Sequence, residues 1–194
     1  MTKNIGGNYY DKHNSSNPIV KWMMKKFYGT FIDILKDTPG QTLVDIGCGE
    51  GHLTNIIYNE CDFEIKALEM DGATALHAGA LYPHLDVQQR NIINFGGQYD
   101  ILIASEVLEH VEEYPKAIKN CATVAKTCVF SVPREPWFRL ANVARLKYLP
   151  RFGNTPGHVN NWTKGDFKKL LEGYFDHVEI QTTTLWTVAV CKND

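Results

Sequence analysis

The most constraining feature of this sequence is an apolar run that ends in three closely spaced glycines. Residues 42–46 read Thr-Leu-Val-Asp-Ile, and Gly47, Gly49 and Gly51 follow at every second position. Apolar side chains on both faces of such a run are typical of a central parallel strand that is covered on both sides. Because glycine lacks a Cβ and adopts positive φ readily, the backbone after this strand can approach a bound molecule closely. The run therefore predicts a strand that ends in a ligand-binding turn.

A second apolar run, residues 65–68, ends in the acidic residue Glu69. A carboxylate about 20 residues after the glycines can lie at the tip of the neighbouring strand and bind a ribose diol. Dinucleotide sites favour Gly-x-Gly-x-x-Gly, with a pyrophosphate on the helix N-terminus. Here the spacing is Gly-x-Gly-x-Gly, and Asp45 precedes it. This carboxylate would repel a pyrophosphate but would suit a cationic amine.

Asp45 with the three glycines, followed by Glu69, resembles the class I S-adenosylmethionine (SAM) dependent methyltransferases. Residues 99–111, Tyr-Asp-Ile-Leu-Ile-Ala-Ser-Glu-Val-Leu-Glu-His-Val, resemble the fourth motif of that superfamily. The resemblance covers roughly residues 41–194. It implies an α/β fold, a doubly wound, Rossmann-like seven-stranded sheet with an antiparallel last strand, and SAM at the carboxyl ends of the strands.

The resemblance also implies which residues contact the cofactor. These are Asp45, Gly47, Cys48, Gly49, Gly51, Glu69, Met70, Asn91, Ile92 and Ser105. Asn91 departs from the family pattern, which commonly has Asp there, although its amide oxygen can still accept a hydrogen bond from the adenine amine. The alternative is that Asn91 is only a turn residue.

Composition limits the classes of function. With 194 residues, 44% of them hydrophobic and 22% charged, the chain fits a single globular domain, residues 1–194. A net charge of −2 predicts no general affinity for nucleic acid, so we expect a small-molecule acceptor as the partner. We expect no signal peptide and no stable membrane insertion. Five cysteines without a Cys-x-x-Cys pair favour reduced thiols and a cytoplasmic location. The oligomeric state is unknown.

Periodicity predicts the remaining elements in chain order. Strands are expected over residues 85–89, 100–104 and 127–132, with a closing antiparallel pair over 178–182 and 185–192. Helices are expected from Asn17-Pro18 to Pro39-Gly40, over residues 52–59, after Asp71, from near Glu106, and over residues 163–172 with a capping box at Thr163. Strands that alternate with helices in this way predict the doubly wound sheet.

Two further segments are expected to cover the site. Residues 1–40 resemble an N-terminal helical flap, in which Tyr9 and Tyr10 are either substrate or cofactor contacts or ordinary surface residues. Residues 133–162 form a lid insertion after the fifth strand on the acceptor side. Its candidate substrate contacts are Arg134, Trp137, Arg139 and Arg145.

The lid carries five basic residues and a single acid, Glu135. Arg139, Asn142 and Arg145 share one face at helical spacing, which predicts a short basic amphipathic helix. Three interpretations remain open: a lid whose arginines are solvated, a cradle for an anionic acceptor, and a surface that touches a membrane.

Methyl transfer from a sulfonium releases a neutral thioether, so positioning of the acceptor should supply most of the acceleration. A base is needed only for an acceptor such as a hydroxyl or an ammonium group, and the candidates are His110, His158, Glu106 and Glu109. If a helix starts near Glu106, then Glu106, Glu109 and His110 project from one face.

Together with His158, these side chains could bind Mg²⁺ or Mn²⁺, with Zn²⁺ or Fe²⁺ kept open by the histidines. The Glu-x-x-Glu-His pattern resembles the metal site of ubiquinone-pathway O-methyltransferases and of enzymes that 2′-O-methylate the 3′ end of small RNAs. The alternative is that Glu and His only form hydrogen bonds at the helix start.

We therefore expect a SAM-dependent enzyme that methylates oxygen or nitrogen of a small molecule. The alternatives are a metal-dependent 2′-O-methyltransferase of an RNA 3′ end and a SAM-binding module without turnover.

Overall fold

A computed structural model describes residues 15–145 and 148–194, so Tyr9 and Tyr10 lie outside the described residues. The seven strands are β1 (Thr42–Ile46), β2 (Glu64–Glu69), β3 (Asp86–Gln89), β4 (Tyr99–Ser105), β5 (Ala125–Pro133), β6 (His177–Thr183) and β7 (Trp186–Lys192). They form one sheet in the order β3-β2-β1-β4-β5-β7-β6. β7 pairs antiparallel with both β5 and β6, whereas β1 to β5 pair in parallel. The predicted doubly wound sheet with its antiparallel last strand is confirmed.

Six helices accompany the strands in the described part of the chain. They are α1 (Pro18–Lys36), α2 (His52–Glu60), α3 (Gly72–Leu81), α4 (Tyr114–Val124), α5 (Trp137–Ala144) and α6 (Lys164–Leu171). Three of them begin at a side-chain cap. Asn17 accepts from the Ile19 amide at 2.9 Å, Asp71 from Thr74 at 2.8 Å, and Thr163 from Asp166 at 3.2 Å. Each cap satisfies a donor that the first turn of a helix leaves without a partner.

The core lies on both faces of the sheet because alternate strand residues point to opposite sides. On one face, Val44, Leu102 and Phe130 pack with residues of α4 and α6. On the other, Leu43 and Ile103 pack with residues of α1 and α2. A strand that is buried on both faces places its functional groups at its ends, which directs the site to the carboxyl edge of the sheet. Within the described ranges, no helix combines the length and apolar character needed to cross a bilayer.

The prediction of a helix that starts near Glu106 is wrong. Glu106 has a φ of 56°, and the chain then forms only a 3₁₀ turn over Leu108–His110 before α4 begins at Tyr114. Glu106, Glu109 and His110 therefore do not share one face of an α-helix.

Candidate functional site

Three glycines with positive φ shape the loop between β1 and α2. Gly47, Gly49 and Gly51 have φ values of 68°, 57° and 79°. A Cβ on Gly47 would lie 2.6 Å from Val107 Cγ2, so the loop has no room for a side chain there. The amides of Gly47 and Cys48 donate to the Leu68 carbonyl at 2.7 and 3.1 Å. These bonds hold the loop against the tip of β2.

Glu69 ends β2 and lies directly beside this loop. Its Oε2 accepts from the Gly49 amide at 3.0 Å, and its Oε1 accepts from the Asp71 amide at 2.9 Å. Two backbone donors therefore orient the carboxylate at the carboxyl edge of the sheet. This is the place from which an acidic strand end binds a ribose diol in a doubly wound fold.

Asn91 follows β3 and lies next to Met70. The Asn91 Oδ1 accepts from the Ile93 amide at 2.9 Å, and its Nδ2 lies 3.5 Å from the Met70 sulfur. Met70 is an exposed apolar side chain directly after Glu69. The structure thus brings Glu69, Met70 and Asn91 to one end of the sheet edge, where an apolar surface adjoins hydrogen-bonding groups.

Three further residues, Ile92, Ser105 and Cys48, were also predicted to contact the cofactor, and their surroundings differ from one another. Ile92 is buried and packs in the core. Ser105 ends β4, and its Oγ lies 3.1 Å from the Ser131 Oγ of β5. Cys48 is half-buried in the glycine loop, where burial, with the nearby Asp45 and Glu69 charges, raises the pKa of its thiol. Cys48 is therefore a neutral side chain at ordinary pH and contributes packing, not charge, to the loop.

Asp45 is a buried carboxylate just before the glycine loop. The Thr54 hydroxyl of α2 donates to its Oδ2 at 2.5 Å. Burial raises the pKa of Asp45 to about 7, with the Glu69 charge adding to the rise and the Thr54 hydrogen bond opposing it. A nearby cation would favour the ionised form and lower this pKa.

Glu106 lies at the end of β4 and is turned toward β7. Its carboxylate accepts a hydrogen bond from the Trp186 indole at 2.7 Å, and its amide donates to the Ser131 carbonyl at 3.0 Å. These contacts explain the left-handed backbone of Glu106, because neighbouring strands hold both its side chain and its amide. Among the described residues, the cluster able to hold a metal does not include it.

That cluster is formed by Glu109, His110 and His158. Each offers a ligand atom, and these atoms lie within 4.8 Å of one another. Glu109 is only 1% exposed, and the two imidazole rings meet edge to face with centroids 4.9 Å apart. His110 Nδ1 lies 3.0 Å from the Gly157 carbonyl, which can only accept, so Nδ1 carries the proton and Nε2 is the atom that could coordinate a cation.

The 3₁₀ turn and the end of the lid are joined by backbone hydrogen bonds. The amides of Val159 and Asn160 donate to the Glu109 carbonyl at 2.9 and 3.1 Å. The Asn160 side-chain amide donates to the carbonyls of Leu108 and Val111 at 3.1 and 2.8 Å. Because Asn160 connects the two segments, His158 is held beside His110 although 47 residues separate Gly157 from His110.

A small pocket adjoins this cluster, and it contains an acid that the sequence analysis did not assign to the site. Its lining includes Glu109, Glu135, His158, Asn160 and Trp162. Burial raises the pKa of Glu135, opposed by the Arg139 amide and the Arg139 charge. The signal that could have identified Glu135 was its position two residues after the end of β5, at the carboxyl edge where parallel strands of such sheets bind ligands.

The predicted substrate contacts of the lid fall into two groups. The Arg139 guanidinium donates to the carbonyls of Phe152 and Arg151, so it stabilises the lid itself. Trp137 is exposed, the Arg134 guanidinium lies 5.8 Å from its ring centroid, and Arg145 is exposed at the end of α5. Phe138, on the inner side of α5, stacks on His158 with centroids 5.9 Å apart and connects the lid to the histidine pair.

Comparison with known proteins agrees with this arrangement. The family model described as "Methyltransferase domain" matches residues 23–174. The ubiquinone biosynthesis O-methyltransferase of Escherichia coli O127:H6 is 27% identical over 94 residues, which is 45% of this chain and 39% of that protein. The chain thus spans less than half the length of this curated relative.

Two solved structures share the fold. The methyltransferase domain of bacterial CtHen1 gives a TM-score of 0.72 at 19% identity, with 88% of this chain and 99% of that chain covered. Magnesium protoporphyrin IX methyltransferase (ChlM) from Synechocystis PCC 6803, with bound SAH, gives 0.69 at 16% identity, with 93% and 89% covered. With its glycine loop, its acidic strand end and a family match over residues 23–174, the chain belongs to the methyltransferase domain family of the class I SAM-dependent superfamily.

Proposed function

We propose that this chain transfers the methyl group of SAM to an oxygen or nitrogen of a small-molecule acceptor. The observation that carries the proposal is the hydrogen bond between the glycine loop and Glu69. The Gly49 amide donates to the Glu69 carboxylate and orients it beside the backbone of the loop. Glu69 would accept hydrogen bonds from both ribose hydroxyls, and Met70 and Asn91 would contact the adenine. Asp45 lies on the side where the cationic methionine end of SAM would sit, and its ionised form would be favoured there.

The acceptor would bind over the narrow crevice that Glu109, Glu135 and His158 line. The relatives named as ubiquinone biosynthesis O-methyltransferases favour oxygen as the methylated atom. Since the thioether leaves without a proton, the protein only has to hold the acceptor in line and accept a proton from a hydroxyl. Glu135 would take this proton when His158 binds a metal, and His158 itself could take it in a metal-free enzyme. The unpaired cysteines fit a reducing compartment such as the cytoplasm.

Glu109, His110 and His158 would hold a divalent ion. Two imidazoles and one carboxylate suit a first-row ion such as Mn²⁺, Fe²⁺ or Zn²⁺ better than Mg²⁺, which prefers oxygen ligands. When bound, such an ion lowers the pKa of a coordinated hydroxyl. The same cluster favours a second candidate, 2′-O-methylation of an RNA 3′ end. The 3′-terminal ribose carries two neighbouring hydroxyls, and a divalent ion in the cluster could bind both of them.

Release of S-adenosylhomocysteine (SAH) separates these functions. If the acceptor is a small molecule, the protein should release SAH when a catechol is supplied. If the acceptor is RNA, it should release SAH only when an oligonucleotide with an intact 3′ diol is supplied. A SAM-binding module without turnover binds SAM and releases none with either acceptor.

The cofactor assignment predicts that Glu69→Ala weakens SAM binding by at least about tenfold, which is about 1.4 kcal/mol. The reason is that each hydrogen bond to a charged acceptor contributes about 1.5–3 kcal/mol. Titration calorimetry measures the affinity. Glu64→Ala, at the exposed opposite end of β2, is the matched control and should bind SAM like the wild type. Unchanged affinity in Glu69→Ala would refute the assignment.

The metal assignment predicts that Glu109→Gln and His158→Gln each lower Mn²⁺ affinity by roughly tenfold or more, since each removes a direct ligand. Equilibrium dialysis with Mn²⁺ measures this without requiring activity. Glu106→Gln is the control, because its side chain can still accept from Trp186 and lies outside the cluster. If Glu106→Gln loses Mn²⁺ as strongly as Glu109→Gln, the ligand set is a different one.

A further inference from the structure

The lid helix α5 buries one polar side chain and exposes several apolar ones. Asn142 is 7% exposed, and its side-chain amide donates to the Gly153 carbonyl at 2.9 Å. In contrast, Trp137, Leu140 and Val143 are 53%, 53% and 36% exposed. Residues three apart lie on neighbouring positions of a helix surface, so these three side chains form one stripe. The helix thus turns its apolar stripe to the outside, whereas Asn142, which was predicted to share a basic face with Arg139 and Arg145, is buried.

The 3₁₀ turn after the helix, Leu149–Arg151, enlarges this apolar surface. Leu149 is exposed, and Phe152 is 79% exposed. The turn is attached firmly to α5, because Arg139 Nε donates to the Phe152 carbonyl at 3.2 Å and a Cβ on Gly153 would lie 2.3 Å from the Arg139 carbonyl oxygen. We call the five exposed side chains Trp137, Leu140, Val143, Leu149 and Phe152 the lid patch. An apolar surface carried by one compact segment marks an interaction site more often than scattered apolar residues do.

The charge around the lid patch identifies the kind of surface it fits. The segment from Arg134 to Arg151 contains five basic residues and one acid, although the whole chain has a net charge of −2. That acid is Glu135, whose carboxylate oxygens are buried in the pocket. The Arg134 guanidinium lies beside the exposed Trp137 ring, 5.8 Å from its centroid. The exposed charged side chains that the structure describes in this segment, Arg145 and Arg151, are thus both positive, which is complementary to an anionic surface.

We propose that the lid patch docks this protein on an anionic lipid surface. Exposed Trp, Leu and Phe side chains would enter the boundary between headgroups and acyl chains, while the arginines bind lipid phosphates, as in interfacial amphipathic helices. Because Phe138 on the inner side of α5 stacks on His158, a docked lid places the acceptor pocket next to the bilayer. The inference concerns binding alone and is tested without methyl transfer.

The test is co-sedimentation of the full chain with vesicles of phosphatidylcholine alone and with added phosphatidylglycerol. The wild type should bind the anionic vesicles at low salt, lose that binding at high salt because charge is screened, and bind the neutral vesicles far less. Leu140→Asp and Phe152→Asp should each weaken binding at least about fivefold, since each places a carboxylate in the apolar boundary. Arg151→Gln should weaken it about fivefold through the loss of one cation.

The matched control is Leu76→Asp on α3, because Leu76 is 78% exposed and lies outside the lid. This variant should bind like the wild type, and thermal unfolding shows that each variant is folded. The proposal is overturned by equal binding to neutral and anionic vesicles, or by a Leu76→Asp loss as large as that of Leu140→Asp. It is also overturned if the wild type ignores vesicles and instead self-associates through a contact that Leu140→Asp breaks in sedimentation velocity, because the patch is then a protein interface.

Discussion

At the scale of single residues, Asp45 is a buried acid directly before the glycine loop. Its carboxylate is buried with the Thr54 hydroxyl as a hydrogen-bond partner, and its pKa is raised from 3.8 to about 7. In the unfolded chain the same group loses its proton near its ordinary pKa. Between these two values the folded state binds more protons than the unfolded state, so stability falls as pH rises through this window.

The difference in the pKa of Asp45 between the folded and unfolded states predicts that Asp45→Asn makes the free energy of unfolding less dependent on pH. An Asn can still accept from Thr54 but has no charge to bury, so the variant should gain stability relative to the wild type as pH rises from about 4 to about 7. At about 1.4 kcal/mol per pH unit, the relative gain reaches ~4 kcal/mol at most. Denaturant unfolding of the ligand-free protein at several pH values measures it. A constant difference between the two proteins across this range would contradict the prediction.

At the scale of elements, the sheet could be predicted because each strand contains its own signal. The apolar runs of β1, β4 and β5 are buried on both faces, and their observed bounds extend the predicted ones by at most two residues. Helix starts at Asn17, Asp71 and Thr163 could also be predicted from the sequence, since a cap is a local interaction between residues two or three apart.

Elements controlled by distant residues could not be predicted. Instead of the expected helix start, Glu106 has a left-handed backbone, and its carboxylate accepts from Trp186, 80 positions later. On α5, Asn142 is buried and donates to the Gly153 carbonyl, which lies 11 positions later. In the candidate metal cluster, His158 was predicted to lie with His110, whereas the position of Glu135 in the adjoining pocket was not predicted. Local patterns carry no information about such tertiary contacts.

At the scale of the whole molecule, the proposed cofactor and acceptor sites lie on different parts of the sheet edge. Glu69 and Asn91 follow β2 and β3 on one side of β1, whereas the Glu109 cluster and the lid follow β4 and β5 on the other. The central strand β1 and its glycine loop lie between them. This layout means that a change in the lid should alter acceptor use without altering the affinity for the cofactor.

The last prediction tests this separation with the double variant Arg139→Ala, Arg145→Ala. SAH at 100 times its dissociation constant should stabilise the wild type by about 2.7 kcal/mol, because it binds only the folded state. For a chain of this size, that corresponds to a rise in Tm of roughly 5–10 °C. The double variant should keep the same rise while acceptor turnover falls, since Arg139 holds the lid turn at Phe152 and has no contact with Glu69. Glu69→Ala at the same SAH concentration should lose about half of the rise or more, because tenfold weaker binding leaves a stabilisation of about 1.4 kcal/mol. If the folded double variant loses the SAH-induced rise as Glu69→Ala does, the lid belongs to the cofactor site and the proposed division of the molecule is wrong.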